Sequence, residues 1–190
     1  MPAVLRTPRS QWVSAAAEAL AAGGVEAVRV ESLSASIGVT KGSFYAHFRT
    51  REQLLTEVLD DWERRSTDDV LAQVGSPDAD VVDRINDAGA LTFSQELVPL
   101  DLAVRGWARR DAEVRARLRR VDNARMEFLR EQFGSFVSDP DEVEARSILA
   151  FTLAIGSHFL AADLNGRGKQ DALANAGRRV LFRREHPLSD

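Results

Sequence analysis

The stretch from Val30 to Phe48, VESLSASIGVTKGSFYAHF, predicts two short helices joined by a tight turn. Leu33 and Ile37 are four residues apart, which places both on one face of the first helix. Gly38 ends that helix, because glycine readily adopts the left-handed conformation that such a turn needs. The second helix begins near Thr40, whose hydroxyl can cap the free amides. Two short helices around a glycine turn form a helix-turn-helix, whose second helix enters the major groove of DNA.

The second of these helices combines polar donors with aromatic side chains. Lys41 lies in its first turn, where the free amides and the positive end of the helix dipole favour a phosphate. Gly42 keeps the backbone slim, so that the helix can approach another molecule closely. Phe44 and Phe48 are four residues apart and are predicted to anchor the helix to its scaffold. Tyr45 has a polar tip on an apolar body and can donate to a phosphate.

The charge of the chain is distributed unevenly. The formal net charge is −4, but residues 1–50 carry five basic and three acidic side chains. Residues 51–190 carry the other 20 basic and 26 acidic side chains. A mildly basic amino-terminal part on an acidic body is compatible with a DNA-binding module. Because helix–glycine–helix corners also occur in proteins that do not bind DNA, the pattern alone leaves both interpretations open.

The amino-terminal segment also has helical periodicity. Trp12, Ala16 and Leu20 lie on one face of a first helix. Thr7 and Pro8 precede it as a cap and a first-turn residue, because proline has no N–H to lose there. With the two helices described above, residues 1–50 are predicted to form a three-helix DNA-binding domain.

The remainder of the chain is predicted to be helical as well. One helix is expected from Thr50 to Gly75, the next is capped near Ser76, and an apolar helix runs to Leu160. No segment alternates between apolar and polar residues as a half-buried strand does. The sequence therefore predicts an all-α fold of about nine helices, with residues 51–190 as a second helical domain and a tail after Pro187.

Several classes of protein are disfavoured by the composition. The chain has no cysteine, which excludes disulfides and thiolate metal sites. The longest apolar stretch, Ile148 to Ala162, is shorter than the roughly 20 residues of a membrane span. The three histidines, His47, His158 and His186, lack ligand spacing, so no metal is expected. We find no nucleophile elbow, phosphate loop or paired-histidine motif, and we expect a soluble cytoplasmic protein that is not an enzyme and needs no cofactor.

The segment TKGSFYAHFRTREQLL, which begins at Thr40, resembles the TetR family of one-component transcriptional repressors. The positions that follow the family pattern are Lys41, Gly42, Ser43, Phe44, Tyr45, His47, Phe48, Arg51, Leu54 and Leu55. Upstream, Ala16, Leu20, Gly24, Leu33, Gly38 and Val39 also follow it, so about 50 residues match. Two positions depart: Arg29 stands where many relatives have a capping threonine, and Ser34 stands where alanine is usual. The cap of the second helix is therefore missing or comes from Ser32, and Arg29 can instead reach a phosphate.

The resemblance implies which residues meet DNA and what the second domain does. The predicted DNA-binding residues are Arg29, Thr40, Lys41, Gly42, Ser43, Tyr45, His47 and Arg51. The second domain is expected to bind a small effector and to form a homodimer, with two recognition helices about 34–36 Å apart on a near-palindromic operator. The expected pocket residues are Phe93, Trp107, Met126, Phe128, Phe151 and His158, and the alternative is that they are ordinary core. The expected dimer interface contains Phe159, Leu160, Leu173, Val180 and Leu181, and the alternative is a larger monomeric core.

The expected function is that of a DNA-binding repressor that a small, largely apolar ligand releases from its operator. A second hypothesis is a helical-bundle ligand-binding protein, or an enzyme, that retains a vestigial helix-turn-helix. A third is a DNA-binding regulator without an effector, whose middle region is filled by side chains.

Overall fold

The computed structural model describes residues 7–76 and 78–182, and within them the chain forms ten α-helices, one 3₁₀ turn and no strand. The helices are α1 (Arg9–Gly23), α2 (Val30–Ile37), α3 (Lys41–Tyr45), α4 (Arg51–Ser66), α5 (Asp68–Gln73), α6 (Val81–Thr92), α7 (Val98–Ala108), α8 (Ala112–Gly134), α9 (Pro140–Ser157) and α10 (Lys169–Val180), and the 3₁₀ turn is Val25–Ala27. The predicted all-α fold is confirmed. His186 and the predicted tail after Pro187 lie outside the described residues.

The chain divides into two compact units, and the first comprises described residues 7–72 and 94–122. Helix α1 is its centre and packs against α2, α4 and α7. The predicted apolar face of α1 is confirmed, since Trp12, Ala16 and Leu20 are fully buried. They share one core with Trp62 of α4 and Val104 of α7. Burial of two tryptophans supplies a large part of the apolar area that stabilises this unit.

The second unit comprises described residues 73–93, except 77, and 123–182. Its smaller core contains Ile85, Phe133, Ala150 and Leu181. Helices α9 and α10 pack against each other. Helix α8 contributes to both units, because the division falls after Asp122. The predicted boundary between domains at residue 50 stays a prediction.

Capping residues explain where several helices begin. Thr50 caps α4 as predicted, since its hydroxyl accepts a hydrogen bond of 3.2 Å from the N–H of Gln53. The predicted cap at Ser76 was wrong, because Asp80 caps α6 and accepts from the N–H of Val82 at 2.8 Å. Pro8 occupies the cap position of α1 itself, rather than the first turn.

Two predicted helices end earlier than expected. The helix expected from Thr50 to Gly75 is divided at Thr67, whose backbone leaves the helical region at φ −126° and ψ −80°. The Thr67 hydroxyl donates to the carbonyl of Glu63 at 2.8 Å, a local bond of the kind that often bends helices. Helix α9 ends at Ser157 rather than Leu160, and the hydroxyl of Ser157 donates to the carbonyl of Ala154 at 2.7 Å. None of the helices in the described ranges is long and apolar enough to span a bilayer.

Candidate nucleic-acid interface

Helices α2 and α3 form the predicted helix-turn-helix. Gly38 has φ 75° and ψ 31°, the left-handed conformation that closes α2. Its N–H donates to the carbonyl of Ala35 at 3.2 Å, and the N–H of Val39 donates to the carbonyl of Ser34 at 2.9 Å. These bonds satisfy carbonyls that the helix end would otherwise leave open. A side chain at Gly38 would force a strained backbone, so the turn depends on this glycine.

Aromatic side chains fix α3 to the core of the first unit. Phe44 is fully buried and Phe48 is 1% exposed, which confirms both predicted anchors. The rings of Phe44 and Phe48 stack with centroids 5.3 Å apart, and Trp12 of α1 meets Phe44 edge-on at 5.3 Å. A helix of five residues is unstable alone, so this packing holds it in place.

The opposite side of α3 is open. The side chain of Tyr45 is 62% exposed, and that of Lys41 is 55% exposed. Thr40 and Gly42 are also exposed, while Ser43 and His47 are half-buried. The structure therefore brings the predicted DNA-binding residues of α3 onto and beside one accessible surface of the first unit.

Gly42 has no structural reason to be glycine within the chain. Its φ lies outside the positive range, and a Cβ built there would meet only the Thr40 hydroxyl, at an ordinary 3.6 Å. Glycine inside a helix costs roughly 0.5–1 kcal/mol relative to alanine. This loss of helix stability occurs at Gly42, which is exposed on the open side of α3.

Lys41 forms an ion pair with Glu31 of α2, with 2.6 Å between Nζ and Oε1. The hydrogen bond from Lys41 is the largest of the effects that lower the pKa of Glu31 below its ordinary value. Both side chains are more than half exposed, so water screens the pair and its strength is modest. Because the lysine ammonium has three N–H donors, a phosphate at Lys41 would compete with Glu31 for its charge.

Neither α3 nor α2 has a capping bond from the residue at its cap position. Thr40 occupies the cap position of α3, but its hydroxyl accepts no capping bond; its carbonyl instead accepts from the N–H of Ser43 at 3.0 Å. The prediction that this hydroxyl caps the helix was wrong. At α2 the cap position is Arg29, whose side chain also makes no capping bond, so the cap is missing at this position. The exposed Arg29 side chain donates from Nε to the carbonyl of Glu26 at 3.0 Å.

Arg51 holds backbone in the first unit. Its Nε donates to the carbonyl of Val28 at 2.6 Å, and its Nη2 donates to the carbonyl of Val25. The fork of the guanidinium thus ties the start of α4 to the 3₁₀ turn before α2. The predicted DNA contact of Arg51 stays a prediction, and the geometry adds this structural role.

Sequence reasoning missed Arg9, which meets three groups of the same unit. Its guanidinium binds the Glu57 carboxylate, donates to the carbonyl of His47, and lies 4.3 Å from the centre of the Phe48 ring. The hydrogen bond with Glu57 is the main reason that the pKa of Arg9 is raised. Glu57 is 48 residues from Arg9 in the sequence, so no local spacing indicates the contact.

The predicted pocket residues do not all belong to one unit. Trp107 lies in the first unit and packs against its core. In the second unit, Phe93 stacks on His158 with centroids 5.5 Å apart. The guanidinium of Arg125 lies 5.9 Å from the centre of the Phe93 ring, a neighbour that sequence reasoning missed. The other predicted residues of that unit are Met126 and Phe151, both half-buried, and Phe128, which is 9% exposed.

The predicted interface residues lie just after α9, on α10 and directly after α10. Phe159, Leu160 and Val180 are 68%, 42% and 54% exposed, which is unusual for large apolar side chains. Leu173 is half-buried. Leu181 is 5% exposed and lies in the core of its own unit, so it has little surface to offer a partner.

Comparison with known proteins agrees with this architecture. Residues 13–58 match the model of the family described as bacterial regulatory proteins, tetR family. A tetR-family regulatory protein from Rhodococcus RHA1 is 18% identical, with a TM-score of 0.67 over 92% of this chain and 95% of that one. AibR, solved with isovaleryl coenzyme A and operator DNA, is 18% identical, with a TM-score of 0.66 over 91% of this chain and 97% of that one. A comparison with curated protein sequences finds no match.

The same fold occurs in a protein whose description is not that of a regulator. The superantigen PfiT is 16% identical, with a TM-score of 0.66 over 90% of this chain and 95% of that one. At such identities a structural match shows the fold, whereas the family match at 13–58 concerns the helix-turn-helix itself. The family match therefore covers the helix-turn-helix, and the structural matches show an all-helical fold for the chain. The chain carries a TetR-family DNA-binding domain and has the fold of TetR-family transcriptional regulators.

Proposed function

We propose that this protein is a dimeric repressor that binds a near-palindromic operator through α3 and leaves it when a small ligand occupies the second unit. The observation that carries the DNA-binding part is the surface of α3. It combines an exposed lysine and tyrosine with a glycine that the fold does not require. An exposed glycine on a short helix is expected where another molecule must approach the backbone.

Contacts with DNA are assigned by the position of each group. Lys41 reaches a phosphate or a guanine edge, and Tyr45 reaches a phosphate through its hydroxyl. Thr40, Ser43 and His47 provide further hydrogen-bonding groups on or beside the open surface of α3. Arg29 and Arg51 hold nearby backbone, and each has further N–H groups that can donate to a phosphate.

The homodimer is supported by apolar surface on the second unit. Five large apolar side chains on α9, α10 and the residues that follow α9 are exposed, namely Ile148, Leu149, Phe159, Leu160 and Val180. A second copy of the chain is the simplest cover for them, since α9 and α10 pack against each other and present these side chains on neighbouring elements. We therefore place the dimer interface there, with Leu173 beside it and Leu181 beneath it.

The ligand site is placed at the aromatic side chains of the second unit. The stacked pair of Phe93 and His158 offers an apolar surface with one polar ring, which suits a small, largely apolar ligand. AibR, which has the same fold, was solved with a coenzyme A thioester, and this encourages a search among acyl compounds. The ligand would act by a population shift toward dimers whose recognition helices no longer match both half-sites. The protein would act in the cytoplasm, where its operator is.

Fluorescence anisotropy with the DNA that flanks its own coding region tests the proposal. At low salt the wild-type protein should bind one fragment tightly, and Lys41→Ala should weaken binding about tenfold and reduce the salt dependence by about one counterion. Tyr45→Phe, which keeps the ring, should have a smaller effect. Failure of the wild-type protein to bind any fragment, together with turnover of a bound compound, would favour the second hypothesis, an enzyme with a vestigial helix-turn-helix. Binding that no candidate ligand reverses would favour a regulator without an effector.

A further inference from the structure

The carboxyl end of the recognition helix α3 is held by a residue from the start of the chain's first helix. Arg9 is the first residue of α1, and its Nε donates to Oε2 of Glu57 in α4 at 2.8 Å. A second nitrogen, Nη2, meets the other oxygen of the same carboxylate, so the contact is bidentate. The remaining nitrogen, Nη1, donates to the backbone carbonyl of His47. The plane of the guanidinium thus connects α1, α4 and the residues that end α3.

The carbonyl of His47 needs such a donor. His47 lies two residues beyond Tyr45, the last residue of α3, and a backbone carbonyl that is shielded from water costs free energy when it has no donor. The N–H groups of His47 and Phe48 both donate to the carbonyl of Phe44 at 2.9 Å, so the chain turns tightly at this end. Arg9 also lies 4.3 Å from the centre of the Phe48 ring, within the range of a cation–π contact. Two interactions of Arg9 therefore converge on the consecutive residues His47 and Phe48.

The surroundings of Arg9 do not suit a contact with phosphate. Arg9 lies in a surface groove between α1 and α4 together with Glu57, Asp60, Asp61 and Arg64. Both arginines of this groove are paired with carboxylates, Arg9 with Glu57 and Arg64 with Asp61. The guanidinium is already committed to a carboxylate, a carbonyl and a ring.

We propose that Arg9 is a positioning residue for DNA recognition, which sets the angle of α3 by joining its carboxyl end to Glu57 of α4. The proposal rests on the proposed function of α3 as the recognition helix. It assigns to Arg9 an effect on operator affinity without a contact to DNA. Lysine cannot replace arginine here, because a single ammonium group cannot reach a carboxylate, a carbonyl and a ring face in one plane.

Two substitutions separate positioning from phosphate contact. Arg9→Lys keeps the charge and loses the planar fork, and Arg9→Gln loses both. If Arg9 positions α3, both variants bind operator about tenfold more weakly, while the salt dependence and the affinity for unrelated DNA stay as in the wild type. If Arg9 contacts a phosphate, Arg9→Lys binds as the wild type does and Arg9→Gln loses about one counterion of salt dependence, which would overturn the proposal.

Glu57→Gln and Arg64→Lys complete the design. Glu57→Gln weakens the same contact from the other side and should reproduce part of the Arg9→Lys effect. Arg64 of α4 pairs with Asp61 and Asp69, so Arg64→Lys is a matched change of an ion-paired arginine and should bind as the wild type does. Equal losses in Arg64→Lys and Arg9→Lys would show a general effect of charge pairs and would overturn the proposal.

Amide hydrogen exchange provides a measurement that needs no DNA. In Arg9→Lys the amides of His47 and Phe48 should exchange about tenfold faster than in the wild type, and in Arg64→Lys they should not change. Unchanged exchange in Arg9→Lys would overturn the positioning role even if DNA binding fell. If the wild-type protein bound no DNA, the proposed function would fail, and faster exchange would still show that Arg9 holds this end of α3.

Discussion

The exposed faces of the two units differ in chemistry. On the first unit, the open side of α3 presents Lys41 and Tyr45 above a fully buried aromatic anchor. On the second unit, α10 and the residues that follow α9 expose large apolar side chains such as Phe159 and Val180. The first surface suits a charged, hydrated partner such as DNA, and the second suits an apolar partner such as another copy of the chain. The exposed side chains of each unit are therefore the basis for the partner that we propose for it.

The largest effect on stability is expected for Phe44, the buried ring that anchors α3. Phe44→Ala removes a fully buried ring that contacts Trp12 and Phe48, so the free energy of unfolding should fall by about 3–5 kcal/mol. The control is Phe136→Ala, because Phe136 is 49% exposed and its loss should cost less than about 1 kcal/mol. Urea unfolding followed by tryptophan fluorescence measures both. Equal losses would contradict the assignment of Phe44 as the anchor.

The next effect tests the second surface. Val180→Asp places a charge among exposed apolar side chains, and the dissociation constant of the homodimer should rise at least about 30-fold, as for an interface residue worth 2 kcal/mol or more. Leu71→Asp is the control, since Leu71 is equally apolar and 49% exposed but lies on α5 of the first unit. Sedimentation velocity measures both variants. A dimer that Val180→Asp leaves intact would place the interface elsewhere.

The helix-turn-helix of the first unit could be predicted well because its signals are local. Gly38 fixes the turn through its own backbone, and the spacing of Phe44 and Phe48 fixes which side of α3 is buried. Periodicity of this kind needs only neighbouring residues. The family pattern then added Arg51 at the start of α4, which periodicity alone does not single out.

The contacts that hold the site could not be predicted, because they join residues far apart in sequence. Arg9 meets Glu57 and the carbonyl of His47, and Arg51 meets carbonyls more than 20 residues upstream. Nothing in a single sequence tells an arginine that holds backbone from one that contacts DNA. The end of the helix at Thr67 was missed for another reason. A hydroxyl that bonds to a carbonyl of its own helix weakens that helix only slightly, so the sequence gives little sign of the interruption.

A smaller effect concerns Glu31, the negative charge that is paired with Lys41. Glu31→Gln removes the carboxylate that holds Nζ of Lys41, so operator affinity should increase by up to about fivefold, the range of an exposed ion pair. Glu113→Gln is the control, because it removes one exposed negative charge from α8 of the same unit. Fluorescence anisotropy at fixed salt compares the two. If both variants gained equally, net charge rather than release of Lys41 would be the cause.

The central claim is that α3 is the recognition helix. The most direct test measures both the free energy of unfolding and the operator affinity of the Gly42→Ala variant. Because the fold has room for this Cβ and alanine favours a helix, the free energy of unfolding should rise by about 0.5–1 kcal/mol. Operator affinity should nevertheless fall at least about fivefold, since the methyl group enters the contact with DNA. Gly106→Ala, at an exposed helical glycine of α7 with open space around it, should give the same gain in stability with unchanged binding. A stabilised Gly42→Ala protein that binds its operator as the wild type does would contradict the assignment of α3 as the recognition helix.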